Sequence, residues 1–159
     1  MSARTEKIQL GGLVDMLGVE LRIAQILADR VFSQCVDSPL APGHYTILSI
    51  VYQNPGINQS ALARCMYMDR SSMVPILDQF ENKGWLHRKS RPQDRRSYAL
   101  ELSPAGQRVL HDAESKVLQL ETVISGIMGK QEAADLLNGV KQLQQALHSL
   151  SAGSAGGGA

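Results

Sequence analysis

Apolar residues along the first third of the chain recur three and four positions apart. Leu13, Leu17, Leu21, Ala24, Ala28 and Val31 follow this spacing, which is that of one face of an α-helix. It predicts a helix over residues 13–36. Ile23, Ile26 and Leu27 widen the stripe, so the helix should pack on more than one side. Ser38-Pro39 and Ala41-Pro42-Gly43 break the pattern. Pro42 suits the first position of a second helix, where its missing N–H is not needed. Tyr45, Leu48, Val51 and Tyr52 share a face of that helix, and Asn54-Pro55-Gly56 ends it. Asn58 is placed to cap a short third helix, Gln59 to about Met66, with Ala61, Leu62 and Cys65 turned inward. After the turn Tyr67-Met68, Asp69 is the predicted cap of a fourth helix with a buried stripe of Met73, Ile76, Leu77 and Phe80. Lys83-Gly84 reads as its stop.

The rhythm then changes. Trp85, Leu86 and Arg88 begin a strand, and Tyr98 to Leu102 alternate apolar and polar residues as its return. Pro92 belongs in the loop between them, since it fits poorly inside a strand. Ser103-Pro104 pairs a helix cap with a first-turn proline. Beyond it, Ala113, Val117, Leu120, Ile124 and Ile127 form a narrow seam suited to another helix. Leu136, Leu137, Val140, Leu143, Leu147 and Leu150 mark a last helix over 131–150. The tail SAGSAGGGA has nothing to bury and is expected to be disordered. The expected fold is therefore mainly α with a small β-hairpin. Its segments are an N-terminal helix (1–37), a helix-turn-helix with hairpin (42–102), C-terminal helices (103–150) and a tail (151–159).

Composition narrows the class. The 159 residues suit one domain, or one domain with a helical extension. Aromatics make up 4% and apolar residues 43%, a balance typical of packed helices rather than a β-sandwich. No apolar run approaches the ~18 residues of a membrane span, and no signal peptide is expected. Cys35 and Cys65 lack a CxxC partner and are expected to be buried small hydrophobes in a reducing, cytoplasmic setting. His44, His87, His111 and His148 have no metal-ligand spacing, and neither a carboxylate pair nor a phosphate loop is evident. No metal, cofactor or enzymatic activity is expected.

Charge adds a partner. Between Arg64 and Tyr98 stand eight bases (Arg64, Arg70, Lys83, Arg88, Lys89, Arg91, Arg95 and Arg96) against four acids (Asp69, Asp78, Glu81 and Asp94). The rest of the chain is acidic. A basic head on an acidic body suits a polyanion, although a charged hairpin that merely aids solubility would look the same. Two short helices joined by a tight turn, followed at once by a basic hairpin, have the layout of a winged helix. In that layout the second helix can enter the major groove of double-stranded DNA. Asp69, Ser71 and Ser72 could be no more than caps, but Arg70 beside them is suited to DNA contact.

The stretch LARCMYMDRSSMVPILDQFENKGWLHRKSRPQDRRSYALELSPAGQ resembles the MarR family of winged-helix transcriptional regulators. Its most specific element is Asp94-x-Arg96, followed by alternating apolar residues and Leu102-Ser103-Pro104-x-Gly106. The resemblance implies an obligate homodimer in which the first and the last two helices interlock while two winged regions read a pseudo-palindrome. The otherwise partnerless seams of 13–36, 104–127 and 131–150 suit that role. By the same resemblance, Arg70, Ser71, Ser72 and Val74 lie on the recognition helix, Arg96 is the wing-tip arginine that enters the minor groove, and Asp94 braces the wing. The narrow minor groove attracts a guanidinium, and Arg91 and Arg95 would add phosphate contacts. Pro75 departs from the family pattern. It should bend or loosen the recognition helix and leave base reading to Arg70–Val74.

Family members commonly answer to small anionic or phenolic ligands, which implies a repressor released by an effector. Arg22 and Ile26 on the first helix, with His44 and Tyr45 on the second, could bind an aromatic carboxylate if those helices adjoin. An interface salt bridge for Arg22 and an exposed position for His44 are the plainer alternatives. Two other functions fit the chain: a cysteine-based redox sensor, and a winged-helix protein-interaction module. The first needs an exposed thiol in a basic neighbourhood. The second predicts little use for Arg96 and no steep salt dependence.

Overall fold

The computed structural model describes residues 11–36, 38–91 and 94–155; the side chains of 14, 91, 94–97 and 152–155 lie outside that description. A short 3-10 helix, Gly11–Asp15, leads into α1 (Leu17–Cys35). There follow α2 (Pro42–Gln53), β1 (Ile57–Asn58), α3 (Gln59–Cys65), α4 (Arg70–Asn82), β2 (Leu86–Arg91), β3 (Asp94–Leu102), α5 (Pro104–Met128) and α6 (Lys130–Ala155). The sheet is antiparallel with order β1-β3-β2. The expected hairpin thus gains a third strand, the two residues of β1, too short to leave an alternation. The chain divides into two units, with the boundary between Lys116 and Val117 inside α5.

The core of the first unit is built from the predicted stripes. Ile47, Leu48 and Val51 of α2, Leu62 of α3, Met73, Leu77 and Phe80 of α4, Leu86 of β2 and Leu100 of β3 are all buried. Full burial of one such side chain contributes about 1.5–3 kcal/mol. Ile76, expected among them, is half-buried. The signals that start and stop the elements have local causes. Pro42 is the first residue of α2, and Asn58 Oδ1 accepts the Ala61 N–H at 2.8 Å to cap α3. Asp69 precedes α4, but its side chain makes no capping bond. At the other end of α4, Gly84 has φ of +67°. The Gly84 N–H donates to the Glu81 carbonyl, and the Trp85 N–H to that of Phe80, both at 2.9 Å. This pair of bonds is the Schellman turn that a glycine after the helix permits. α4 runs unbroken through Pro75.

Two expectations change. Cys35 and Cys65 are exposed, not buried. Each is the last residue of its helix. α3 buries Leu62 and Ala63, leaving Ala61 half-buried. The final helix also continues to Ala155, into the segment expected to be disordered. Ser, Ala and a single Gly at 151–155 are tolerated as an extension of a helix already nucleated. Residues 156–159 lie outside the described residues.

The motif Ser103-Pro104-x-Gly106 fastens the sheet to α5. The Ser103 hydroxyl donates to the Gly84 carbonyl and accepts the Gly106 N–H at 3.0 Å. The Ser103 N–H donates to the Trp85 carbonyl at 2.9 Å. Gly106 is buried, and a β-carbon there would collide with that same carbonyl oxygen and lie 2.8 Å from its carbon. Glycine is needed here for close approach. Gly106→Ala is therefore expected to destabilise the protein by about 1–3 kcal/mol. Urea unfolding checks this, and a variant with parent stability would show that the two backbones can separate at no cost.

Candidate nucleic-acid interface

α3 and α4 form the predicted helix-turn-helix. The turn between them is held by the Tyr67 N–H donating to the Arg64 carbonyl at 3.1 Å and the Met68 N–H to that of Ala63 at 2.9 Å. Gln59 Nε2 donates to the Arg70 carbonyl at 3.2 Å, tying the start of α3 to the start of α4. With Met73, Leu77 and Phe80 facing the core, the opposite face of α4 is left to solvent. Ser71, Ser72, Val74 and Pro75 are turned away from the core and exposed, and Arg70, at the first position of the helix, is exposed at the flank of the core stripe. The four residues assigned to the recognition helix are thus all exposed within its first two turns.

β2 and β3 form the wing. The ladder runs in register from Leu86 opposite Leu102 to Ser90 opposite Tyr98, then jumps to Arg91 opposite Asp94. Arg95, Arg96 and Ser97 fall within this irregularity. Bulges of this kind re-aim the residues they contain. The backbone places Arg91, Asp94, Arg95 and Arg96 at the wing's distal end, while their side chains, and residues 92–93, lie outside the described residues. The bracing role expected of Asp94 rests on those side chains.

The structure also sorts the charges. Arg88 shares the inner face of β2 with Leu86 and reaches α4, with ion pairs to Asp78 at 2.6 Å and Glu81 at 2.7 Å. Lys89 pairs with Glu101 across the outer face. Lys83 Nζ stands 4.4 Å from the centre of the Trp85 ring. Three of the eight bases counted along this stretch are thus engaged within the fold, and Arg88 fixes the wing to the recognition helix. Sequence reading missed that role. The signal was present: an arginine at an inward position of an alternating strand, with two acids one helical turn apart on α4.

The residues expected to hold an effector are spread differently. Arg22 and Ile26 are exposed, one turn apart on α1, while His44 and Tyr45 are half-buried in the first turn of α2. No described hydrogen bond or ion pair joins Arg22 to His44 or Tyr45. His44 instead packs edge-on against Phe80, with ring centres 5.0 Å apart, and its buried Nδ1 has no hydrogen-bond partner. Two open clefts lie elsewhere. One, of about 440 Å³, lies between Ser38-Pro39 and His111, Asp112 and Lys116 of α5. The other, of about 470 Å³, is an apolar groove between the end of α5 and α6. Among the described residues no cluster of metal-ligating side chains occurs, and no helix is long and apolar enough to cross a membrane.

A helix-turn-helix followed by a two-stranded antiparallel wing, with the short β1 completing the sheet, defines a winged-helix protein. Residues 40–98 match the MarR family. A protein of Thauera aromatica, assigned as a transcriptional regulator for the hcr operon, is 36% identical over 135 residues, 84% of this chain and 81% of that protein. The structure of the transcriptional repressor CouR bound to a 23-mer DNA duplex is similar with a TM-score of 0.81 and 29% identity, covering 87% of this chain and 99% of that one. CouR bound to p-coumaroyl-CoA matches with a TM-score of 0.80 and 27% identity, over 87% and 98% of the two chains. The chain belongs to the MarR family and is a transcriptional regulator of that type.

Burial, and next the positive charge of Lys83, lower the pKa of His44 below its ordinary 6.5. The folded state thus favours the neutral ring, and the unfolded chain binds the proton more readily. The resulting penalty is absent well above pH 6.5 and grows as pH falls from 6.5 through the lower folded value. Urea unfolding between pH 8 and 5 is expected to show a steeper acid-side loss in the parent than in His44→Leu. Parallel curves would remove His44 as the cause.

Proposed function

We propose that this MarR-type regulator is a homodimeric repressor that binds a pseudo-palindromic DNA operator and is released from it by a small aromatic carboxylate. The observation that carries the DNA reading is the exposed polar first turn of α4 beside a wing whose ladder irregularity holds Arg95-Arg96. α4 enters the major groove, where Arg70, Ser71, Ser72 and Val74 meet base edges and phosphates. Arg96 enters the flanking minor groove, with Asp94 orienting the tip and Arg91 and Arg95 adding phosphate contacts. The solved complex of CouR with duplex DNA supports this reading. With Pro75 at the sixth position of α4, base reading is confined to Arg70–Val74, and groove shape carries a larger share.

The dimer reading rests on apolar surface. Leu17, Ile23, Ile26, Leu27 and Val31 of α1 are exposed, as are Leu118, Val123, Ile124 and Ile127 of α5 and Leu136, Leu137, Leu147 and Leu150 of α6. Surface of this extent needs a partner, and a second copy supplies the same helices by symmetry. The 1–37 and 103–150 segments are accordingly the dimerisation helices, and 42–102 is the reading head.

For the effector, Arg22 supplies the cation for a carboxylate, and Ile26, His44 and Tyr45 supply the apolar and phenolic lining. That CouR was solved with p-coumaroyl-CoA supports an aromatic acid or its thioester as the class.

Fluorescence anisotropy on operator and scrambled duplexes across a salt series tests the reading. The parent should bind operator with steep salt dependence, and Arg96→Ala should lower the salt exponent by about one. Arg70→Ala should weaken operator binding by about 1–3 kcal/mol and narrow the gap to scrambled DNA. Aromatic carboxylates and p-coumaroyl-CoA added to the complex should release the parent and leave Arg22→Ala bound. If Arg96→Ala matches the parent and binding shows no steep salt dependence, the protein-interaction module is the better reading.

A further inference from the structure

The inward row of the wing runs past the core. Side chains two positions apart on a strand share a face, so Leu102, Leu100 and Tyr98 of β3 lie on the same face as their ladder partners Leu86, Arg88 and Ser90 of β2. This face is the inner one. Leu86 and Leu100 on it are fully buried, and Arg88 makes its ion pairs with Asp78 and Glu81 of α4. The chain turns at Gly84, so β2 sets out beside the helix it has just left. Beyond Arg88 and Leu100 burial ends: Ser90 is exposed, and Tyr98 is 50% exposed. Inward positions of an alternating strand are apolar where they cover a core. Here the row closes on a phenol, set between the root of the wing, which is joined to α4, and its distal end. The outer face differs in charge. It carries His87, Lys89, Ala99 and Glu101, with Glu101 paired to Lys89.

We propose that Tyr98 is a DNA-positioning residue whose hydroxyl donates to a phosphate of the strand that separates the groove entered by α4 from the groove entered by the wing tip. The inference rests on the DNA reading above and adds a contact that belongs to neither groove. In a duplex, the major and minor grooves are divided by one sugar-phosphate backbone. A protein that sends a helix into one groove and a hairpin tip into the next straddles that backbone, and the groups between helix and tip face it. Tyr98 occupies that interval, on the face of the wing that looks to α4 and two residues beyond Arg96 along β3. Tyrosine hydroxyls are among the groups that bind phosphate oxygens. Its rung with Ser90 is the last regular one before the ladder shifts. A phosphate contact sets the seating of helix and tip only if its anchor is held in place, and the ladder holds this one. The contact carries no base preference, and a neutral hydroxyl releases no counterion.

Tyr98→Phe keeps the ring and the strand and removes only the hydroxyl. Anisotropy on operator and scrambled duplexes across a salt series, with the thermal midpoint, is measured for parent and variant. A hydrogen bond to a charged group corresponds to about a tenfold loss of affinity. The loss should be alike on both duplexes, with the salt exponent and the thermal midpoint unchanged. A second series replaces operator phosphates one at a time by neutral methylphosphonates. At one phosphate in each half-site the parent should lose more affinity than Tyr98→Phe does. Binding by Tyr98→Phe within about twofold of the parent would overturn the proposal. So would a lower midpoint, which assigns the loss to packing, or a smaller salt exponent, which assigns it to the neighbouring arginines. Equal losses for the two proteins at every methylphosphonate position would overturn it too. A parent that binds no duplex at all would overturn the DNA reading itself, a different result from equal binding by both proteins.

Discussion

The contact between the Trp85 carbonyl and Gly106 sets the geometry of the reading head. The chain leaves α4 through the glycine turn at Gly84, and the next residue is pressed against the first turn of α5. Ser103 closes the junction from three sides: its hydroxyl bonds Gly84 and Gly106, and its N–H bonds Trp85. The end of α4, the base of both long strands and the start of α5 therefore meet around one buried serine. The wing can be long and polar at its tip because it is fixed at its root. A side chain of any size at position 106 would separate these elements, which explains why the motif pairs a serine cap with a glycine three residues on.

Charge is distributed by the same logic. Along the sequence the basic stretch reads as one patch. In the fold, Arg88 turns inward to Asp78 and Glu81 on α4, and Lys89 is matched by Glu101. These pairs engage bases of the wing within the fold, while Arg70 at the start of α4 is exposed. An ion pair of this exposure contributes little to stability. Its value lies in orientation, because it joins the wing to α4.

Most of the helices were legible in the sequence because their signals are local. Proline at first positions, Asn58 as a cap and glycine after Lys83 each act through bonds made within a few residues. The winged layout followed from their order. What could not be read depends on distant neighbours. Cys35 and Cys65 lie on apolar stripes yet are exposed, because burial depends on what packs against the helix end, which spacing does not encode. β1 is two residues long and exists only through pairing with Leu100 and Ala99. His44 faces Phe80, thirty-six positions away, rather than Arg22. The conformation of Tyr67 is set by hydrogen bonds that no periodicity encodes. Periodicity also cannot distinguish a helix packed in its own chain from one awaiting a partner. The wide stripe on α1 predicted packing on several sides, and within one chain only Phe32 of that helix is buried.

The proposed dimer carries two winged-helix heads on helices whose exposed apolar faces a second copy would cover. Hydroxyl-radical footprinting of the protein on the DNA upstream of its own gene tests this most directly. It should give two symmetric protected half-sites with centres about one helical turn, or ~10 base pairs, apart, flanked by minor-groove protection where the wings reach. A single asymmetric footprint, or protection that does not depend on sequence, would contradict it.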